Sequence, residues 1–126
     1  MLDKIISFLI VLLMFLSNAA YADTQKEINH LLDFVANTTC KYERNGTIYD
    51  GVEAQIHIKK KYHYFIDKII SAEDFIKFSA TRSTMSGNKY KILCVDMPVQ
   101  NSADWLLEEL KKFRQSRSGE NSSLPG

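Results

Sequence analysis

Near its start the chain has an almost continuous apolar run, and a helix formed there would be apolar on every side. Residues 5–16 are apolar at every position but one, and Lys4 precedes them. Small residues follow at Ala20 and Ala22, which is the spacing that a signal peptidase recognises. A helix needs about twenty residues to cross the hydrocarbon of a bilayer, so this run is short for a membrane anchor. The pattern predicts a secretory signal over residues 1–22, cleaved after Ala22, and no stable membrane anchor.

After the signal, apolar residues recur at intervals of three and four in four stretches, which is the pattern of amphipathic helices. The first three stretches begin with a helix-capping residue that has a carboxylate three positions later, and a serine begins the last. The predicted helices cover about 24–36 and 51–69, and two more start at the caps Ser71 and Ser102. The polar stretch 81–88 interrupts the periodicity and is predicted to be a loop.

The strands are predicted from alternation and from one turn. Asn45-Gly46 separates two short runs of β-prone residues, and this dipeptide favours the type I′ turn of a hairpin. Tyr90, Ile92 and Cys94 alternate with other residues in a late strand. We expect an α+β fold, in which a small antiparallel sheet made of a β-hairpin plus a late strand packs with about four helices.

The two cysteines, Cys40 and Cys94, both follow the predicted signal. In an oxidising compartment, two cysteines of one exported domain usually pair, although free thiols or an intermolecular bridge remain alternatives. The strand pattern puts both sulfur atoms on one face of the sheet, where a disulfide would join the hairpin to the late strand. The chain has no Cys-x-x-Cys pair, which favours a structural bond over redox exchange.

Length and charge narrow the class of protein. Residues 23–117 have the size of a single α+β domain, and residues 118–126 contain so few apolar groups that we expect a disordered tail. The formal net charge of +1 argues against a dedicated nucleic-acid binder and against general attraction to anionic lipid. We expect a monomer that works without a cofactor.

Two polar positions on predicted elements are candidates for chemistry. Asn45 suits the hairpin turn, and Arg44 beside it either pairs with a carboxylate of the chain or presents a guanidinium to an external carboxylate or phosphate. His57 lies at the border of the apolar stripe of its helix, one turn before Lys61. Its imidazole is either bonded to its neighbours or acts as a base or pH-responsive contact. The three histidines lack the spacing of a metal site, so no metal is expected.

The hydroxyl-rich loop is the third candidate. Ser83 and Ser86 either satisfy backbone groups or bind a ligand. In the alternative, a small hydrolase, one of them is a nucleophile and His57 is its base. Because the chain has no Gly-x-Ser-x-Gly elbow and no acid placed to orient the imidazole, we assign no catalytic residues. A third class, a partner-binding accessory protein, requires an exposed apolar patch, with Trp105 as its expected anchor.

Short motifs spread in order along the chain carry a family resemblance. They are Ile28-x-x-Leu31-Leu32, Cys40-x-Tyr42-x-Arg44-Asn45-Gly46, Ala54-x-x-His57-x-x-x-Lys61-Tyr62, Ile70-Ser71-Ala72-Glu73-x-Phe75-Ile76, Ser83-x-x-Ser86-Gly87-x-x-Tyr90 and Trp105-Leu106. With them the chain resembles the YfeK-like family of small exported bacterial proteins, a domain of unknown function. The family's usual adjacent serines are replaced here by Ser83-Thr84. The resemblance implies a bacterial periplasmic protein and supplies no activity.

The polar positions of that pattern suggest one surface, because no packing role explains them. The candidate binding surface consists of Arg44, Asn45, His57, Lys61, Ser83, Ser86 and Tyr90. We therefore expect a periplasmic, non-catalytic binding or envelope-maintenance domain. Its partner would be an envelope protein or a small ligand, and not a nucleic acid. Convergence of these side chains in the fold is a hypothesis that a structure can test.

Overall fold

A computed structural model describes residues 2–123 and has the α+β fold that the sequence predicts. Within this range four α-helices and one 3₁₀ turn surround a four-stranded antiparallel sheet. The helices are α1 (Leu2–Asn37), α2 (Gly51–Tyr64), α3 (Ala72–Ser79) and α4 (Ser102–Ser123), and the 3₁₀ turn is Ile66–Lys68. The strands are β1 (Lys41–Arg44), β2 (Thr47–Tyr49), β3 (Lys91–Leu93) and β4 (Gln100–Asn101).

Capping starts two of the helices where the sequence predicts. The Asp50 side chain accepts a hydrogen bond from the amide of Glu53 at 2.8 Å, and Ser71 Oγ accepts one from the amide of Asp74 at 3.1 Å. These bonds satisfy amides that have no partner inside the helix. The predicted end of α2 near residue 69 is wrong, because the helix ends at Tyr64. The chain then tightens into the 3₁₀ turn, and Phe65 packs against a ring of α3 instead of continuing the helix.

The sheet has the strand order β2-β1-β3-β4. Asn45 and Gly46 have φ angles of 51° and 81°, so the predicted hairpin turn is confirmed. Tyr42 lies opposite Tyr49 on one side and Ile92 on the other. The sequence analysis missed β4, whose two polar residues show no alternation and which forms only by pairing with the free edge of β3.

The predicted disulfide is confirmed. Cys40 and Cys94 are bonded, with their Cα atoms 4.4 Å apart, just outside the paired ends of β1 and β3. Both cysteines are partly buried against the core. The bond therefore joins the hairpin to the late strand, as expected from the alternation of the two strands.

The core lies between the sheet and the helices. The largest fully buried side chains include Leu31, Ile58, Phe75 and Leu106, one from each helix. Trp105 is not a free surface anchor, since its ring packs against Phe34 with the centroids 4.5 Å apart. That contact buries the ring between α1 and α4, and it removes the reason for proposing an apolar docking patch there.

Both ends of the described chain are more helical than predicted. α1 runs without a break through the predicted signal, because residues 2–37 contain no proline or glycine. In the described chain, α1 is the helix long and apolar enough to cross a membrane, and signal sequences pass the same test. α4 continues to Ser123 through part of the expected tail, since extending a formed helix needs no new nucleus. Residues 124–126 lie outside the described chain.

Candidate functional site

Four of the predicted residues meet between the sheet and α2. Arg44 ends β1 on the same side as the buried Tyr42, and its Nη1 lies 3.4 Å from Nδ1 of His57. One helical turn later, Lys61 Nζ donates to the hydroxyl of Tyr90 at 3.3 Å. The ring of Tyr90 is buried and stands edge-on to the imidazole of His57, with the centroids 6.2 Å apart. Strand alternation and helical spacing thus bring together side chains from three separate segments.

Three of these side chains, those of Arg44, His57 and Tyr90, border a very small cavity. Its volume is about 10 Å³, which is about the space that one water molecule needs. The cavity is lined by Tyr42, Arg44, Tyr49, Ala54, His57, Ile58 and Tyr90. Tyr42 and Tyr49 were not among the predicted site residues. Two signals could have identified them. Tyr42 lies two positions before Arg44, so both side chains point to the same face of β1, and Tyr42 pairs with Tyr49 across the hairpin.

Two of the residues that line this cavity, Arg44 and His57, each carry a buried hydrogen-bond donor that has no acceptor among the described residues. Nε of Arg44 and Nε2 of His57 are both buried and unpartnered. A guanidinium can only donate, so Nδ1 of His57 accepts from Arg44 and the neutral ring carries its proton on Nε2. Both unpartnered atoms are therefore N–H donors. A buried donor without an acceptor costs about 1–3 kcal/mol, which an acceptor entering from outside would recover.

The site carries an excess of positive charge. Burial, and then the charges of Arg44 and Lys61, hold the pKa of His57 below its ordinary value of 6.5, so the ring is neutral at pH 7. Burial and Arg44 also lower the pKa of Lys61. Burial raises the pKa of Tyr90, while Arg44 opposes that shift. Within the described chain neither Arg44 nor Lys61 forms an ion pair with a carboxylate.

The remaining predicted residues form a network of hydroxyl and amide groups beside the cavity. Asn45 Nδ2 donates to Ser83 Oγ at 3.2 Å, and Ser86 Oγ donates to Asn45 Oδ1 at 2.6 Å. Asn88, which the sequence analysis did not single out, also joins the network: its backbone N–H donates to Ser86 Oγ at 3.2 Å. The network ties the hairpin turn to the 81–88 loop, so these groups hold two chain segments together.

The two groups of residues form one continuous region. Arg44 and Asn45 are neighbours in the chain, and Lys61 Nζ donates to the backbone oxygen of Arg82 in the loop at 2.6 Å. All seven candidate residues are therefore linked through direct contacts.

The geometry offers no support for a hydrolase. Among the described residues, Ser83 Oγ accepts from Asn45 and from the amide of Ser86, and the side-chain hydrogen bond of His57 is to Arg44. A serine nucleophile needs a base within hydrogen-bond reach, and here the imidazole nitrogen that accepts is already occupied. The described chain also contains no cluster of three or more His, Cys, Asp or Glu residues that could hold a metal ion.

Comparison with known proteins identifies a family and nothing closer. No curated protein and no solved structure matches the chain. Residues 22–114 match the family described as a family of unknown function (DUF5329). The match begins at the last residue of the predicted signal and includes the whole sheet, the cavity and the polar network. The chain therefore belongs to the DUF5329 family of unknown function.

Proposed function

We propose that this protein is a non-catalytic binding domain of the bacterial periplasm, and that the cavity beside Arg44 and His57 binds the anionic group of its ligand. Export is supported by the apolar N-terminal helix and by the disulfide, which is typical of oxidising compartments. The periplasm and the bacterial origin follow from the resemblance to the YfeK-like family. On this proposal the protein is a monomer without a cofactor, and its signal is removed after Ala22.

One observation carries the binding proposal. Among the described residues, Arg44 Nε and His57 Nε2 are buried N–H donors without an acceptor, and the cationic side chains of Arg44 and Lys61 have no carboxylate partner. Native proteins satisfy nearly all buried donors, so such a pair favours an acceptor from outside the described residues, either a water molecule or a ligand atom. A carboxylate or phosphate oxygen provides both the acceptor and the charge that this site lacks.

The size of the cavity limits what can enter it. A space of about 10 Å³ admits an oxygen atom and not a whole metabolite. The ligand therefore presents a terminal anionic group to the cavity, while the rest of it lies over the surface formed by the polar network. A small organic acid, a phosphate ester and the free carboxyl end of a peptide all share this chemistry. A peptide end would belong to an envelope protein.

The test is a titration of the purified chain, followed by NMR, with acetate, inorganic phosphate and a short peptide with a free or amidated carboxyl end. We expect shifts in the amide signals of Arg44 and His57 with at least one anion. Arg44→Gln should abolish them, because it removes the charge and most of the donors. Lys59→Gln, which alters an exposed lysine of α2, should leave them unchanged.

Acidification gives the test a second signature. A bound anion stabilises the protonated imidazole, and the pKa of His57 in the free protein lies below its ordinary value of 6.5, so binding should tighten as the pH falls below 6.5. This trend should disappear in His57→Asn. Absence of binding by every anion, or binding that survives Arg44→Gln in a variant with an unchanged melting temperature, would overturn the proposal.

A further inference from the structure

A second feature lies where α1 leaves the folded domain. An open groove of about 420 Å³ has Ala20 and Tyr21 of α1 on one side and Ile66, Ile69 and Ile70 on the other. Residues 64–70, from the last residue of α2 to the residue before the cap of α3, therefore lie beside the end of the predicted signal. We call residues 64–70 the connecting turn.

The connecting turn exposes three large apolar side chains close together in the chain. Tyr64 and Ile70 are 80% and 83% exposed, and Ile66 is 46% exposed. Lys68 is exposed between them. Tyrosine and lysine beside aliphatic residues are typical of the boundary between a bilayer and water, where an apolar body and a polar tip are both accommodated.

Helix geometry gives the position of the groove relative to a bilayer that holds α1. The apolar run ends at Leu16, and Ala20 lies about 6 Å farther along the helix at 1.5 Å per residue. The headgroup layer on each side of the hydrocarbon is about 5–8 Å thick. When the apolar part of α1 occupies a bilayer, the groove beside Ala20 is thus at the level of the headgroups.

The direction of α2 provides a control residue, because its two ends lie at different distances from the signal. Gly51, at its start, lies against Val35 of α1, whereas Tyr62, near its end, bonds to Gln25. The two helices are therefore antiparallel, and the start of α2 lies farther from the signal by about 15 Å along α1. Val52, which is 56% exposed at that start, is an apolar surface residue too remote to reach the same bilayer.

We propose that, while the signal remains attached, the connecting turn docks on the bilayer surface beside α1. Tyr64, Ile66 and Ile70 enter the headgroup region, and Lys68 meets lipid phosphates. The unprocessed chain is then held by two contacts, the signal helix and this turn. The second contact strengthens the attachment, because it forms on a chain that the first contact already holds at the bilayer.

The experiment uses the full chain, with its signal, in lipid nanodiscs that contain a spin-labelled lipid. We expect paramagnetic broadening of the amide signals of residues 64–70 and none at Val52. The double variant Tyr64→Ser/Ile70→Ser should lose this broadening, and it should keep its melting temperature because both side chains are already exposed. Val52→Ser is the matched control and should leave the broadening intact.

Three results would overturn the inference. The first is an absence of broadening at the connecting turn, and the second is equal broadening at Val52. The third is signal shifts at the connecting turn that depend on protein concentration and not on the lipid, which would identify a second copy of the chain as its occupant.

Discussion

The disulfide supplies the clearest stability prediction. Cys40 and Cys94 are 54 positions apart, so the bond closes a loop of about 55 residues in the unfolded chain. In the chain-entropy relation, such a loop lowers the entropy of the unfolded state by about 14 cal/mol/K, or about 4 kcal/mol at room temperature. The native sheet already holds the two strand ends together through the pairing of Lys41 with Leu93. Little of this gain is therefore lost to ordering the folded state.

A loss of that size is large for a small domain, whose total stability is about 5–15 kcal/mol. We expect the double variant Cys40→Ala/Cys94→Ala to lose about 4 kcal/mol in denaturant unfolding and about 15–30 °C in melting temperature, both followed by circular dichroism. Adding a reductant to the unmodified protein should reproduce the loss, whereas the double variant should not respond to it.

Two results would refute this reasoning. A loss below about 1 kcal/mol would mean that the unfolded chain is already as restricted as the bond makes it. Two free thiols in the protein purified without reductant, together with full stability, would show that the bond plays no part in the folded molecule.

Three further predictions concern packing, ion pairs and pH. Gly51→Ala should lose about 1–3 kcal/mol, because the added Cβ would lie 2.3 Å from the carbonyl oxygen of Val35. Glu27→Gln should lower the free energy of unfolding by about 2 kcal/mol, because the buried carboxylate accepts hydrogen bonds from two arginines. Glu73→Gln should lower it by less than about 1 kcal/mol, because this carboxylate is half-exposed. Because the pKa of His57 is lowered on folding, the unfolded chain binds more protons, and stability should fall as the pH drops below 6.5, less steeply in His57→Asn.

Denaturant unfolding measures all three, and each has a control. Gly119→Ala has open space around the new Cβ and should cost nothing, so equal losses at both glycines would contradict the steric argument. Equal losses at Glu27 and Glu73 would show that burial does not set the strength of these ion pairs. Identical pH dependence with and without His57, from pH about 7.5 to 5.5, would mean that its environment does not shift its titration.

Much of the secondary structure was predictable because its causes are local. The caps at Asp50 and Ser71 and the turn at Asn45-Gly46 are formed by residues at most three positions apart, and they occur where expected. The end of α2 was not predictable in this way. Its apolar stripe continues to Ile69, but the helix ends at Tyr64, and Phe65 packs against a ring of α3. Such a contact between elements cannot be read from the local pattern.

The candidate site was likewise predictable only in part. The residue pattern identified the polar side chains, predicted a signal at the N-terminus and predicted that the two sulfurs can join the sheet. Folding was needed to show that Arg44 donates to His57, that each keeps an N–H without a partner among the described residues, and that Tyr49 lines the same cavity. The reason is physical: periodicity and capping act over a few residues, whereas an unsatisfied buried donor exists only after distant segments have packed and excluded water.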